Sequence, residues 1–140
     1  MIEYNLHFNY KDIFLAPRLA LSPKKIWVFT IGILSGYILY WILTYLSLVL
    51  SGMEINEAIA DFGLYPYLND SSAPLISWFV FYSGILIWIF FLLLSSTAIS
   101  RITTKQLKGD SFYSANDAID DVMKRWKTVL FSPLSILFII

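Results

Sequence analysis

Two stretches without a charged side chain govern what this chain can fold into. Between Lys25 and Glu54 runs IWVFTIGILSGYILYWILTYLSLVLSGM, and between Asp70 and Arg101 runs SSAPLISWFVFYSGILIWIFFLLLSSTAIS. About 20 apolar residues, rising about 1.5 Å each, cross the hydrocarbon core of a bilayer, and each window exceeds that length. Tilt or interfacial ends can absorb the excess. Composition agrees: 58% of residues are hydrophobic and 14% charged, against about 25% charged in an ordinary soluble domain. The expected fold is therefore all-α and membrane-integral, with two transmembrane helices over 22–51 and 72–108. A signal peptide is a poor account of the first window. Its apolar part would be about 7–15 residues long and close to the N-terminus, whereas 25 residues precede this longer run.

Charge asymmetry sets the expected orientation. All ten Lys and Arg residues lie before the first window or after the second. The connector 52–71 holds Glu54, Glu57, Asp61 and Asp70 and no base. Under the positive-inside rule both flanks are cytoplasmic and the acidic connector external. The expected location is the cell inner (plasma) membrane, multi-pass, with the N-terminus cytoplasmic. Lys24, Lys25, Trp27, Arg101, Lys124, Arg125, Trp126 and Lys127 are the residues expected at the lipid headgroups, where Trp and basic side chains anchor. Trp78 and Tyr82 mark the opposite edge. Ser22 with Pro23 reads as a helix start and Ser51-Gly52 as its stop, while SSAP at 71–74 and Gly109 bound the second helix.

Few residues here suit chemistry. The chain has no cysteine, so thiolate catalysis and Cys-ligated metals are excluded. His7 is the only histidine and has no companion ligand. It lies in MIEYNLHFNYK, whose period-two alternation suits either a strand or an extended segment on the membrane surface. The rest of the N-terminal segment 1–21, DIFLAPRLAL, reads as interfacial. In the connector, Ile55, Ile59 and Phe62 share one face of a short helix, opposite Glu54, Glu57 and Asp61. Those three acids are the only metal candidates, and a solvated helix face accounts for them better, since no Ca²⁺-loop spacing accompanies them. No cofactor is implied. In the first span Gly32, Gly36, Tyr40, Thr44 and Ser47 fall on one face, where small residues allow close helix approach and hydroxyls can bond across the interface. Neither span contains an ionisable Asp, Glu, Lys, Arg or His, the usual mark of an ion or proton path.

The most charged stretch is NDAIDDVMKRWKTVLFSP. Its period predicts a cytoplasmic amphipathic helix over 114–131, with Ile119, Val122, Met123, Trp126, Val129 and Leu130 on the apolar face. Acids precede bases, as the helix dipole favours, and Asp120–Lys124 and Asp121–Arg125 are spaced for i,i+4 pairs. Ser114 with Asp117 gives a start and Pro133 a stop. Residues 133–140, PLSILFII, then read as the beginning of a third span cut short. Balanced charge argues against nucleic acid as a partner; lipid and other transmembrane helices are the partners expected.

The segment AISRI…QLKGD…A…RW…SPL, from Ala98 to Leu134, resembles uncharacterised multi-spanning membrane proteins found across several bacterial lineages. In these a basic-ended span leads through a cytoplasmic amphipathic helix into the next span. The resemblance covers the last third of the chain and implies a polytopic membrane fold, with no activity and no site residues attached. The expected function is a non-catalytic subunit or packing module of a membrane assembly. The alternative is a transport component whose solute path further helices complete; an enzyme ranks third.

Overall fold

The computed structural model describes residues 21–108, 110 and 113–137. The alternating N-terminal segment, the interfacial segment before Leu21, and residues 138–140 lie outside the described residues. Those described form helices α1 (Pro23–Leu50), α2 (Ile55–Phe62), α3 (Leu75–Leu107), α4 (Ala115–Lys124) and α5 (Trp126–Leu137), with no strand among them. α1 and α3 are long and apolar enough to cross a membrane, and only 17% and 11% of their most apolar windows is buried. A core helix of a soluble protein would be mostly buried.

The chain divides into two units, Ile33–Phe91 and Met1–Gly32 with Leu92–Ile140, and both long helices contribute to each. Within Ile33–Phe91, α1 and α3 run antiparallel. A side chain at Gly36 would meet Trp88 and Phe91, and one at Gly84 would meet Leu43. The core of this unit is Tyr45, Leu48, Ala58 and Leu68, flanked by Trp41, Met53, Phe62, Trp78 and Phe81. In the other unit the buried apolar side chains are Val28, Leu94, Ala98, Ile102, Ala118 and Val122.

Helix ends follow local chemistry, with four departures from expectation. α1 stops in a Schellman motif: the Met53 N–H donates to the Leu48 carbonyl and the Gly52 N–H to Val49. Gly52 has φ +99°, a conformation glycine adopts without a Cβ penalty. Ser22 differs from expectation, because its hydroxyl caps nothing. Only its carbonyl serves the helix, accepting from the Lys25 and Ile26 N–H groups. α3 begins at Leu75 rather than 72, because the Ser72 hydroxyl and N–H both donate to the Asp70 carboxylate. Pro74 also disfavours helical geometry at Ala73.

The third departure concerns 114–131, which is two helices and not one. The Arg125 backbone leaves the helical region at φ −114°, ψ 23°, and its N–H bonds back to Val122 and Met123. Its carbonyl then receives the Val129 N–H and starts α5. Pro133 does not stop this helix. It removes one hydrogen bond, a loss that an apolar helix can absorb.

Candidate functional site

The residues between α2 and α3 are fastened to α1 by three tyrosines. The Tyr45 hydroxyl donates to the Gly63 carbonyl over 2.6 Å and the Tyr40 hydroxyl to Pro66 over 2.7 Å. The Tyr37 hydroxyl donates to the Leu64 carbonyl. At about 100° per residue these three positions spread over an arc of about 140° on α1, so Tyr37 is flanked by Tyr40 on one side and Tyr45 on the other. Their rings are also packed. Tyr40 stacks on Trp88 at 5.6 Å, and Trp41 meets Tyr45 edge-on at 4.6 Å. Sequence reasoning placed Tyr40 on a helix-packing face and missed Tyr37 and Tyr45. A tyrosine hydroxyl inside an apolar window must find an acceptor, and that was the signal available.

The other residues expected to pack helices divide as follows. Gly32 and Gly36 are buried, and Gly36 sits where a Cβ would lie 2.9 Å from Phe91 Cβ and Trp88 Cδ1. Thr44 and Ser47 are fully buried, but neither hydroxyl reaches another helix. Thr44 donates to the Tyr40 carbonyl and Ser47 to Thr44. An apolar surrounding offers a hydroxyl no better acceptor than the carbonyl one turn back.

Beside the connector lies an open recess of about 480 Å³ lined by Leu48, Ser51, Met53, Glu57, Phe62 and Asp70. Glu54, Glu57 and Asp61 are all exposed, and no three His, Asp or Glu side chains gather as a metal cluster among the described residues. α2 turns differently from the expected face. Ala58 is its buried residue and Phe62 packs on the core, while Ile55 and Ile59 point outward. The small Ala58 permits close approach; two isoleucines would not.

The second cluster belongs to the unit holding α4. Arg101, near the end of α3, pairs with Asp121 of α4 at 3.5 Å. The Tyr113 hydroxyl donates to the same carboxylate over 2.9 Å, and the Lys105 ammonium lies 5.4 Å from the Tyr113 ring centre. Asp121 thus turns to Arg101 and Tyr113 instead of to Arg125. Burial, and then the bond to Asp121, raise the Tyr113 phenol above its ordinary value. Ser114 and Asp117 form the expected start as a full capping box. The Asp117 carboxyl is held below its usual range by the Ser114 hydroxyl and N–H that bond to it.

Among residues expected at the interface, Lys24, Trp27, Lys124, Arg125, Trp126 and Lys127 are exposed. Lys25 is not: it is buried at 2% exposure, since its place on α1 falls on the same side as Val28 and Gly32. Arg101 is half-buried and engaged by protein. On α4 and α5, Val122 is buried, whereas Met123 and Trp126 of the expected apolar face are exposed.

No family model matches the chain, and neither a curated protein nor a solved structure shows a significant match to it.

Proposed function

We propose that the chain is a multi-pass protein of the cell inner (plasma) membrane, N-terminus cytoplasmic, acting as a non-catalytic packing module of a larger membrane assembly. One observation carries this reading: burial is inverted. Thr44, Ser47 and Ser77 are fully buried, while Leu34, Ile38, Ile42, Phe79 and Leu86 are at least half exposed. Water would penalise so large an apolar surface; lipid tails do not, and there small and hydroxyl residues are the ones that let helices approach. The basic flanks and acidic connector support the orientation. Lys124, Arg125 and Lys127 are exposed and suit anionic headgroups. The Thr44 and Ser47 protons are already engaged within α1, which favours packing over a solute path along that face.

The test uses the absence of native cysteine. Single cysteines at Ser71 and Lys108, both exposed, are treated on intact cells with an impermeant thiol reagent. Labelling at Ser71 and none at Lys108 is expected; the reverse pattern overturns the orientation. In native nanodiscs the particle mass should exceed that of a single chain, and a uniform monomer would remove the packing-module assignment.

A further inference from the structure

We infer that the elbow between α4 and α5, residues 123–128, is an anionic-lipid anchor: Lys124, Arg125 and Lys127 take headgroup phosphates while Met123 and Trp126 enter the interfacial layer among them. The inference rests on α3 crossing the bilayer and on the headgroup role proposed for these bases. It adds that the fold strips the bases of their acids and sets them, with two apolar side chains, at headgroup depth.

Depth is the first argument. Arg101 is the first charge after the uncharged window of α3, so it marks the headgroup level of that leaflet. Lys105 lies one turn further out, about 6 Å at about 1.5 Å per residue. The Tyr113 ring, just before α4, lies by Lys105, whereas Asp121 in the later part of α4 meets Arg101. α4 therefore runs back along α3 toward the bilayer. The elbow begins two residues after Asp121 and arrives among the headgroups. The first N–H groups of α5 have no acceptor within their helix, and at this depth water and phosphate oxygens serve them.

Charge is the second argument, independent of depth. Sequence spacing would neutralise Lys124 through Asp120 and Arg125 through Asp121, and the fold undoes both pairs. Asp121 goes to Arg101 and Tyr113, and the helix breaks at Arg125. None of Lys124, Arg125 and Lys127 forms an ion pair among the described residues. A negative surface is the complement of such a cluster.

Surface chemistry decides which negative surface. Residues 123–128 are all exposed, Met123 at 52% and Trp126 at 43%. Nucleic acid would meet the bases alone. An apolar pair set among them suits a lipid interface, where Trp is enriched and basic side chains reach the headgroups.

The experiment places single spin-labelled cysteines at Met123, Thr128, Asn116 and Ile38, all exposed, in the full chain. Vesicles are of phosphatidylcholine alone or of phosphatidylcholine and phosphatidylglycerol in equal parts. Power saturation compares access of oxygen, which enters lipid, with access of a neutral nickel chelate, which stays in water. With phosphatidylglycerol, nickel access should fall at Met123 and Thr128 and stay unchanged at Asn116, and oxygen access at Met123 should exceed nickel access. Each base near an anionic surface shifts the docking equilibrium about fivefold, so removing three shifts it on the order of 100-fold. The combined Lys124→Gln, Arg125→Gln and Lys127→Gln substitutions, all at exposed positions, should therefore restore nickel access at Thr128. Equal nickel access at Thr128 in the two lipids, with Ile38 shielded, overturns the anchor, leaves the spans intact and leaves the bases to an acidic macromolecule. Shielding at Thr128 that survives the triple substitution overturns the phosphate contact. Nickel access at Ile38 overturns the spans themselves.

Discussion

The Tyr40 hydroxyl and the Pro66 carbonyl are joined over 2.7 Å across 26 positions of sequence, and Pro66 is fully buried. Tyr40→Phe removes the donor and leaves the ring, which keeps its stack on Trp88. A buried carbonyl left without a partner costs about 1–3 kcal/mol. The substitution should lower stability by that amount in an SDS unfolding titration from mixed micelles. A change indistinguishable from zero would mean that the bond has no role in fixing the connector.

Tyr37→Phe tells whether the Leu64 carbonyl faces lipid or water. The Tyr37–Leu64 bond lies at the protein surface. In water the freed carbonyl finds a solvent partner and the net loss falls to about 0.5–1.5 kcal/mol or below. In hydrocarbon it finds none, and Tyr37→Phe should then cost as much as Tyr40→Phe. The ratio of the two losses, measured in bilayer nanodiscs, reads the environment of Leu64.

Glycines on the helix contact should rank by space. At Gly36 an added methyl would lie 2.9 Å from Phe91 Cβ and Trp88 Cδ1; at Gly84 the nearest atom is Leu43 Cβ at 3.2 Å. Phe91 Cβ is rooted on the backbone of α3 and cannot swing aside, so Gly36→Ala requires the helices to part. Overpacking of this kind costs about 1–3 kcal/mol. Gly36→Ala should therefore lower the thermal unfolding temperature in detergent more than Gly84→Ala does, and the opposite order would contradict the antiparallel contact.

The Arg101–Asp121 pair should contribute little. Its side chains are 36% and 43% exposed, and exposed ion pairs are worth about 0–1 kcal/mol before screening. Arg101→Gln should fall at the lower end and lose its effect at high salt. Asp121→Asn also weakens the acceptor for Tyr113, so it should bring the Tyr113 phenol down toward its ordinary value. An ultraviolet titration, taken as the difference from the same variant carrying Tyr113→Phe, reads this. An unchanged Tyr113 titration would show that burial alone raises it.

What could be read in advance was what depends on period and on composition. The long helices follow from uncharged length, and the Ser114–Asp117 start from a local pattern. Gly52 ends α1 because the stop is chemistry within a few residues. Contacts between distant residues were not legible. Nothing near Tyr37 or Tyr45 announces a carbonyl 27 or 18 residues further on, respectively. The Ser22 hydroxyl illustrates the converse, a local signal that the fold leaves unused. Pro133 reads as a stop yet lies within α5, since a missing N–H stops a helix only when its surroundings punish the unpaired carbonyl. Asp121 had an acceptable partner one turn away in Arg125, and only the placement of α4 shows that Arg101 takes it.

The capping box of α4 makes that helix sensitive to acid. Bonds from the Ser114 hydroxyl, at 2.7 Å, and from its N–H hold the Asp117 carboxyl below the ordinary value of 3.8. Because the folded value is depressed, the folded chain resists protonation more than the unfolded chain does. Stability from this group is complete above the ordinary value and is lost as pH falls through the depressed one. Asp70 is depressed in the same direction by Ser72, so single substitutions are needed to separate the two. The unfolding temperature of the native chain should exceed that of Asp117→Asn at pH 6, and the gap should close as pH falls below 3.8. Ser114→Ala removes the other half of the box and should cost about 1 kcal/mol at pH 6. It should also return Asp117 toward its ordinary value, which a carboxyl NMR titration would detect. A gap between the native chain and Asp117→Asn that stays constant down to pH 2 would show that the carboxylate does not cap α4 in solution.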